Sequence, residues 1–221
     1  MKIAINKAHF PVTVLGPGRR IGIWVQGCAI GCKGCVSQDT WASDPGRLMP
    51  LPQLLNWCRT VSHGQLDGVT ISGGEPFDQP QALSALLTGL RAWRTQAQLD
   101  FDILCYSGYP LAKLQRNHAR LLEKLDALIP EPYIEAQPMT HPWHGSGNQP
   151  LVLLSPRGHA RYQAWPGAAP DALAAGGKRM QMMQDGERIW TIGIPARGDM
   201  AALEAACGTQ GVTLAQVSWR P

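Results

Sequence analysis

The stretch that decides the reading is Gly16-Pro17-Gly18-Arg19-Arg20-Ile21-Gly22-Ile23-Trp24-Val25-Gln26-Gly27-Cys28-Ala29-Ile30-Gly31-Cys32-Lys33-Gly34-Cys35. It opens on a turn signal, Gly16-Pro17-Gly18, passes through the apolar run Ile21 to Val25, and breaks into three cysteines. A short β-branched run bounded by turn residues predicts a buried strand, so the cysteines lie on the loop that leaves it. Their spacing is C-x₃-C-x₂-C, and three thiolates this close can serve one metal centre. A closed structural zinc site wants four ligands, and a ferredoxin-type cluster wants four thiolates. Three thiolates leave one iron of a 4Fe–4S cluster open to a substrate or cofactor. Gly31 and Gly34 allow close backbone approach and turn N–H groups toward the sulfides. Two other readings compete, zinc completed by a distant histidine and three unrelated core cysteines. None of the six histidines has a telling spacing.

Outward from this stretch, strand and helix signals alternate. Val12 to Leu15 alternates weakly before the turn, and Leu51 to Val61 has helical spacing with Cys58 on its apolar face. Gly68 to Ser72 is a second buried strand ending in Gly73-Gly74. A helix follows from Pro80, with Asp78 as candidate cap and Leu83, Leu86, Leu87, Leu90 and Trp93 inward. Phe101 to Tyr106 is a third strand, Leu111 to Leu125 a helix, and Ala127 to Ile129 a fourth strand. Alternation with connections long enough for right-handed crossovers predicts an α/β fold with a parallel sheet. Functional loops then gather at the carboxyl ends of its strands, where the cysteine-rich and glycine-rich segments fall. After residue 150 prolines and glycines multiply, among them Pro166, Gly167, Pro170, Gly176 and Gly177. Met180 to Ile194 reads as a hairpin around Asp185-Gly186, Met200 to Cys207 as a short helix and Val212 to Trp219 as a final strand. The expected organisation is a core domain over 1–150 and a small α+β C-terminal extension over 151–221.

The chain has 221 residues, 44% hydrophobic and 16% charged, which is globular composition and room for one sizeable core. No apolar run approaches the roughly 18 residues of a membrane span, and Met1 to Asn6 lacks the apolar core of a secretory signal. The expectation is a cytoplasmic protein that binds neither membrane nor nucleic acid. The net charge is +4, with the basic residues scattered and densest at Arg19-Arg20 and Lys178-Arg179. Such a surface suits an acidic partner, such as a small electron-transfer protein, as well as plain solvation. Cys58, Cys105 and Cys207 stand alone, so no disulfide framework or second cluster is read.

The cysteine spacing after the first strand, with Gly73-Gly74-Glu75-Pro76 after the second, resembles the radical S-adenosylmethionine (SAM) superfamily. Gly16-Pro17-Gly18-x-Arg20, Gly34 before the third cysteine, Thr40-Trp41, Ser107-Gly108-Tyr109 and Trp143 to Gln149 resemble the glycyl-radical-enzyme activases. The likeness is to the activating proteins of anaerobic ribonucleotide reductase and covers roughly residues 10 to 150. It departs at His144, where arginine is usual, at Pro130-Glu131 in place of Asp-Gly, and at Tyr106 in place of aspartate.

The resemblance implies a partial (β/α) radical SAM barrel, with Cys28, Cys32 and Cys35 as ligands of a 4Fe–4S cluster. It implies that SAM is held by Gly34, Val36, Gly73, Gly74, Glu75, Pro76, Ser107 and Asn148. Reductive cleavage of SAM to a 5′-deoxyadenosyl radical and hydrogen abstraction follow, with no acid–base dyad and no catalytic side chain of that kind. The implied partners are a protein substrate, a glycyl-radical enzyme on the activase reading, and a flavodoxin- or ferredoxin-type electron donor. Trp41, Trp143, His144 and Asn148 are candidates to line the substrate opening; for the tryptophans, packing is the competing reading. A radical SAM enzyme acting on another protein, peptide or small molecule, and a non-catalytic 4Fe–4S electron carrier or sensor, are the alternatives.

Overall fold

The computed structural model describes residues 1–163 and 180–220. The chain forms β1 (Lys2–Val12), β2 (Arg20–Val25), β3 (Leu48–Pro50), α1 (Leu51–Ser62), β4 (Gly68–Gly73), α2 (Pro80–Gln96), β5 (Asp102–Tyr106), α3 (Leu111–Leu122), β6 (Ala127–Ile129), β7 (Val152–Leu153) and α4 (Pro156–Tyr162). Beyond the undescribed stretch come β8 (Met180–Asp185), β9 (Arg188–Gly193) and α5 (Asp199–Thr209).

Among the described residues seven strands make one sheet in the order β3-β1-β2-β4-β5-β6-β7, while β8 and β9 pair only with each other. The four strands read from the sequence, β2, β4, β5 and β6, are its parallel core, and the other three pair antiparallel at its flanks. This is the expected α/β fold with a mostly parallel sheet. One row of residues crosses all four parallel strands in register, Ile23, Ile71, Cys105 and Leu128, each fully buried. Because side chains alternate along a strand, this row and its same-face neighbours meet Leu54, Cys58, Leu83, Leu87 and Leu114 of α1, α2 and α3. The opposite face carries Trp24, Leu104, Ala127 and Ile129, covered by Tyr162 of α4, by Trp143 and by Ile192 of β9. In-register pairing also ends the strands level, so the loops after Val25, Gly73, Tyr106 and Ile129 emerge at one edge.

Four features differ from the sequence expectations. Strand β1 was read only at its end, because Lys2, Asn6, Lys7 and Pro11 mask the alternation in which Ile3 and Ile5 are buried. Helix α2 begins at Pro80, but Asp78 does not cap it; Gln79 holds the cap position. Helix α3 ends at Leu122 and is kinked at His118. The final strand over 212–219 does not form: the chain turns back on α5 through the Val212 N–H to Cys207 carbonyl bond and offers its backbone to the cysteine loop. The hairpin and the helix after residue 180 form as expected, and the prolines and glycines of 166–177 lie outside the described residues. The sheet takes in residues past 150: β7 pairs with β6, and α4 packs beside them with Ser155 capping its start.

Candidate active site

The level strand ends bring the sequence motifs into one cavity of about 200 Å³. Its lining includes Cys28, Cys32, Gly34, Cys35 and Val36 from the loop after β2. Gly73, Gly74 and Glu75 from the turn after β4, and Ser107 and Gly108 from the turn after β5, complete that side. A larger open groove of about 790 Å³ runs between the start of α2 and α3 past Arg116, His118 and Lys124, and holds none of the motif residues.

The root of the cysteine loop and the turn after β4 are built as one unit. The Gly74 N–H donates to the Val25 carbonyl at 2.9 Å and the Glu75 N–H to the Gly27 carbonyl at 2.8 Å. Glycine is required twice. Gly73 has φ +97°, and a Cβ there would lie 2.6 Å from the Val25 nitrogen. A Cβ on Gly74 would lie 2.2 Å from the Gly27 carbonyl oxygen. In this structure, then, the two glycines let the two backbones touch. On its other side the cysteine loop is tied by Gly27 N–H to Thr40 carbonyl at 2.7 Å and Cys28 N–H to Trp41 carbonyl at 3.0 Å.

Each cysteine is partly buried, and burial raises the three thiol pKa values above the ordinary range. Backbone N–H groups oppose that shift: those of Ile30 and Gly31 at Cys28, of Tyr133 at Cys32 and of Ser37 at Cys35. N–H groups aimed at sulfur favour the thiolate, the form that binds metal. Among the described residues no three His, Cys, Asp or Glu side chains stand close enough to hold a single ion. The donor set, three thiolates met by backbone N–H groups, suits an iron–sulfur cluster.

Glu75 is 1% exposed, and burial pushes its carboxyl up to about 7. Its Oε1 accepts from the Phe77 N–H and the Ser107 hydroxyl, each at 2.9 Å, and its Oε2 from the Gly108 N–H at 2.8 Å. The carboxylate thereby ties the turn after β4 to the turn after β5. Ser107, 4% exposed, passes the tie on by accepting from the Tyr109 N–H at 3.1 Å. The Tyr109 hydroxyl donates to Asp78 at 2.5 Å, and Asp78 accepts from the Ala29 N–H at 3.5 Å, closing a ring of contacts back to the cysteine loop.

Pro76 is buried and opens a short 3-10 turn behind the cavity wall. Asn148 is not among the lining residues: its amide donates to the Pro132 carbonyl at 2.8 Å and its oxygen accepts from Ser146 at 2.7 Å. Gln149 lines the cavity instead, its side chain bridging the Gly145 N–H and the Glu131 carbonyl. Of the four candidates for the opening, only Trp41 lines it. Trp143 is packed edge-on against Tyr162. His144 is stacked on His141 at 4.5 Å, with both of its ring nitrogens buried and unpartnered. Burial lowers the His144 pKa to about 4, so the imidazole is neutral at pH 7. Glu131, on the loop after β6, lines the cavity with φ +83°, a conformation that favours glycine. Its carboxylate accepts from the Leu111 N–H at the start of α3 at 3.0 Å. Gly193, Ile194 and Pro195 also line the cavity, from a region whose sequence carries no site signal.

A family model described as 4Fe-4S single cluster domain matches residues 14–152. The anaerobic ribonucleoside-triphosphate reductase-activating protein of Vibrio cholerae is 33% identical over 147 residues, 64% of this chain and 92% of the relative. Its counterparts from enterobacteria phage T4 and Escherichia coli K12 are 29% and 27% identical, over 62% and 64% of this chain and 86% and 93% of their own lengths.

Proposed function

Because this chain belongs to the 4Fe-4S single cluster domain family and to the anaerobic ribonucleoside-triphosphate reductase-activating proteins, we propose that it is a radical SAM activase that generates a glycyl radical on a partner reductase. The observation that carries the reading is the convergence of C-x₃-C-x₂-C, the Gly73-to-Pro76 turn and the Ser107 turn on one cavity at the carboxyl edge of a parallel sheet. Cys28, Cys32 and Cys35 would hold the cluster through their three thiolates. Gly34, Val36, Gly73, Gly74, Glu75 and Ser107 form the SAM pocket, backed by Pro76 and by the Asn148–Gln149 loop.

When bound, the cluster and SAM supply one-electron cleavage of the sulfonium and a 5′-deoxyadenosyl radical that takes a hydrogen atom. The residues of the chain orient and enclose them. Glu75 holds two turns in fixed relation, and the backbone of Gly73 to Pro76 would meet the methionyl ammonium. The buried apolar face below the cavity keeps water from entering through the sheet. The electron donor is a flavodoxin- or ferredoxin-type protein, and the setting is the cytoplasm, without membrane or nucleic acid as partner. The chain is organised as a radical SAM core over 1–150 and an extension over 151–221, whose first elements, β7 and α4, complete the core sheet and its cover.

A second reading, a radical SAM enzyme acting on a different substrate, is favoured by one feature: part of the cavity wall, Gly193 to Pro195, lies beyond the family match. Anaerobic reconstitution with SAM and a strong reductant, with Cys32→Ala as control, tests the shared chemistry through 5′-deoxyadenosine. Electron paramagnetic resonance after adding the Vibrio cholerae anaerobic reductase separates the two readings. A glycyl radical supports the activase. 5′-Deoxyadenosine without it favours the second reading, and no 5′-deoxyadenosine from a loaded cluster sinks both.

A further inference from the structure

The segment from Met180 to Arg220 lies beyond the family match, yet it reaches the loop that carries the third cysteine. The Ser218 hydroxyl donates to the Val36 carbonyl at 2.9 Å, and the Ser218 carbonyl accepts from the Asp39 N–H at 3.2 Å. Two backbone groups just after Cys35 are thus held by one residue, 182 positions from Val36 along the chain. The gripped stretch is the one that orients the cysteine, because the Ser37 N–H points at the Cys35 sulfur at 3.4 Å. Ser218 itself is held from behind. The Trp219 indole N–H donates to Glu204 of α5 at 2.7 Å, and Arg220 pairs with the same carboxylate at 2.9 Å. The segment is seated on the core independently, through Gln181, whose side chain accepts from the Thr13 N–H at 3.0 Å and donates to the Pro11 carbonyl at 2.8 Å.

We propose that Ser218 is a positioning residue for the cluster loop, and that the C-terminal tail is a clasp holding Val36–Asp39, and with it Cys35, at the rim of the cavity. This rests on the reading of Cys28, Cys32 and Cys35 as cluster ligands. The chain between Cys35 and Trp41 has no regular element longer than a three-residue turn, Gln38–Thr40, so external bonds decide how often it opens. Releasing one such bond raises the opening frequency about three- to tenfold, the worth of one hydrogen bond.

The test uses the full chain with its cluster reconstituted anaerobically. Ser218→Ala removes the hydroxyl bond, Ser218→Thr keeps it, and Ser218→Ala with Trp219→Phe also loosens the tail. Iron loss to excess bathophenanthroline is expected to run about three- to tenfold faster in Ser218→Ala, faster again in the double variant, and at the wild-type rate in Ser218→Thr. The change that SAM produces in the spectrum of the reduced cluster is expected to broaden in the same order, while the thermal midpoint of the cluster-free chain stays within about 2 °C, since a surface bond contributes little to global stability. Equal iron loss and identical spectra in all variants overturn the proposal, as does a Ser218→Thr that behaves like Ser218→Ala. If the wild type takes up no cluster, the ligand assignment fails instead, and the clasp is judged on the cluster-free chain by amide exchange at Asp39. Exchange at least threefold faster in Ser218→Ala upholds the grip; unchanged exchange overturns it.

Discussion

Replacing Arg20 by methionine removes the one cation buried beneath the cavity among the described residues with no exposure at all. Its guanidinium donates to both oxygens of Asp102 at 2.8 and 2.7 Å, to Thr70 Oγ1 at 2.6 Å, and to the carbonyls of Pro17 and Val69 at 3.1 Å each. Asp102 is equally buried and accepts one further bond, from the Tyr162 hydroxyl of α4 at 2.7 Å. Two glycines make room for the group: a Cβ on Gly68 would lie 2.1 Å from Nη1, and one on Gly16 would lie 2.7 Å from Nε. Without Arg20 the Asp102 carboxylate keeps a single partner in a dry interior. Breaking a buried pair from one side costs about 3–5 kcal/mol, a large part of the roughly 5–15 kcal/mol that holds a domain together. Urea unfolding of the cluster-free chain, followed by tryptophan fluorescence, is expected to show that loss for Arg20→Met. Adding Asp102→Leu and Tyr162→Phe removes the stranded polar groups, and the triple variant is expected to regain most of the loss. A single variant that loses under about 1 kcal/mol, or a triple variant no more stable than the single, would refute the reasoning.

Three further outcomes follow from the geometry. Gly74→Ala drives a Cβ to 2.2 Å from the Gly27 carbonyl and must displace the cysteine loop; iron uptake is expected to fall at least tenfold while far-ultraviolet dichroism is kept, and normal uptake would refute it. His144, neutral in the fold with pKa about 4 against 6.5 unfolded, contributes stability that is present above pH 6.5 and lost as the pH falls toward 4. The urea stability of wild type relative to His144→Phe is therefore expected to drop by on the order of 3 kcal/mol between pH 7 and pH 4; the comparison cancels Glu75, whose raised pKa acts with the opposite sign, and a pH-independent difference would refute the assignment. Glu131→Gly relieves a left-handed conformation worth about 1 kcal/mol but deletes the bond to the Leu111 N–H, so net stability is expected to change by less than about 1 kcal/mol, with faster amide exchange at Leu111; unchanged exchange would show that the carboxylate does not hold the helix start.

What the sequence made legible is what is encoded over a few neighbouring positions. Ile21 to Val25 is apolar on both faces because helices cover one side and Tyr162, Trp143 and β9 the other, and Gly68 to Ser72 and Phe101 to Tyr106 are broken only by Thr70, Ser72 and Asp102, so each reads as a buried strand. The cysteines and the Gly73-Gly74 turn follow such runs directly, so their presence at one edge follows from parallel pairing alone. Strand β1 was hidden because its middle lies half-exposed with polar residues along it. Val212 to Trp219 reads as a strand by composition, but among the described residues the sheet after residue 180 has two strands and no third partner. Gly193 to Pro195 and Ser218 carried no signal for a different reason. Their parts in the site depend on where distant segments dock, and a wall residue such as Ile194 is chemically indistinguishable from any buried isoleucine. The exchange of Gln149 for Asn148 as a lining residue is a matter of one position in an irregular loop, where no periodicity fixes the direction of a side chain.

The inner face of the sheet falls into three layers along the same strands, and their order bears on how a partner is met. Residues alternating with the helix-facing row give Arg20 and Asp102 near the amino ends, then Thr70, Leu104 and Ala127, then Trp24, Tyr106 and Ile129 next to the glycine and cysteine rim. The lowest layer is closed by the Arg20–Asp102–Tyr162 network, and the middle one by Trp143, whose carbonyl accepts from the Tyr106 hydroxyl at 2.9 Å. A substrate therefore has no way through the sheet and must come over the rim. At the rim, Glu75 and the two glycines hold the cysteine loop from the side of β4, while Trp41, Ile194 and the Ser218 clasp stand on the side away from it. The first group is bound into the sheet by backbone bonds of 2.8 and 2.9 Å. In the second, Trp41 is held by a backbone bond from the Cys28 N–H, and the C-terminal segment is joined to the core by the Gln181 bonds, by packing of Trp190, Ile192 and Ile194 on Val12, Val14, Leu15 and Trp24, and by two bonds at Ser218. Because weakly tied elements open first, the side of the cavity expected to yield to an incoming substrate is the one built from the C-terminal segment.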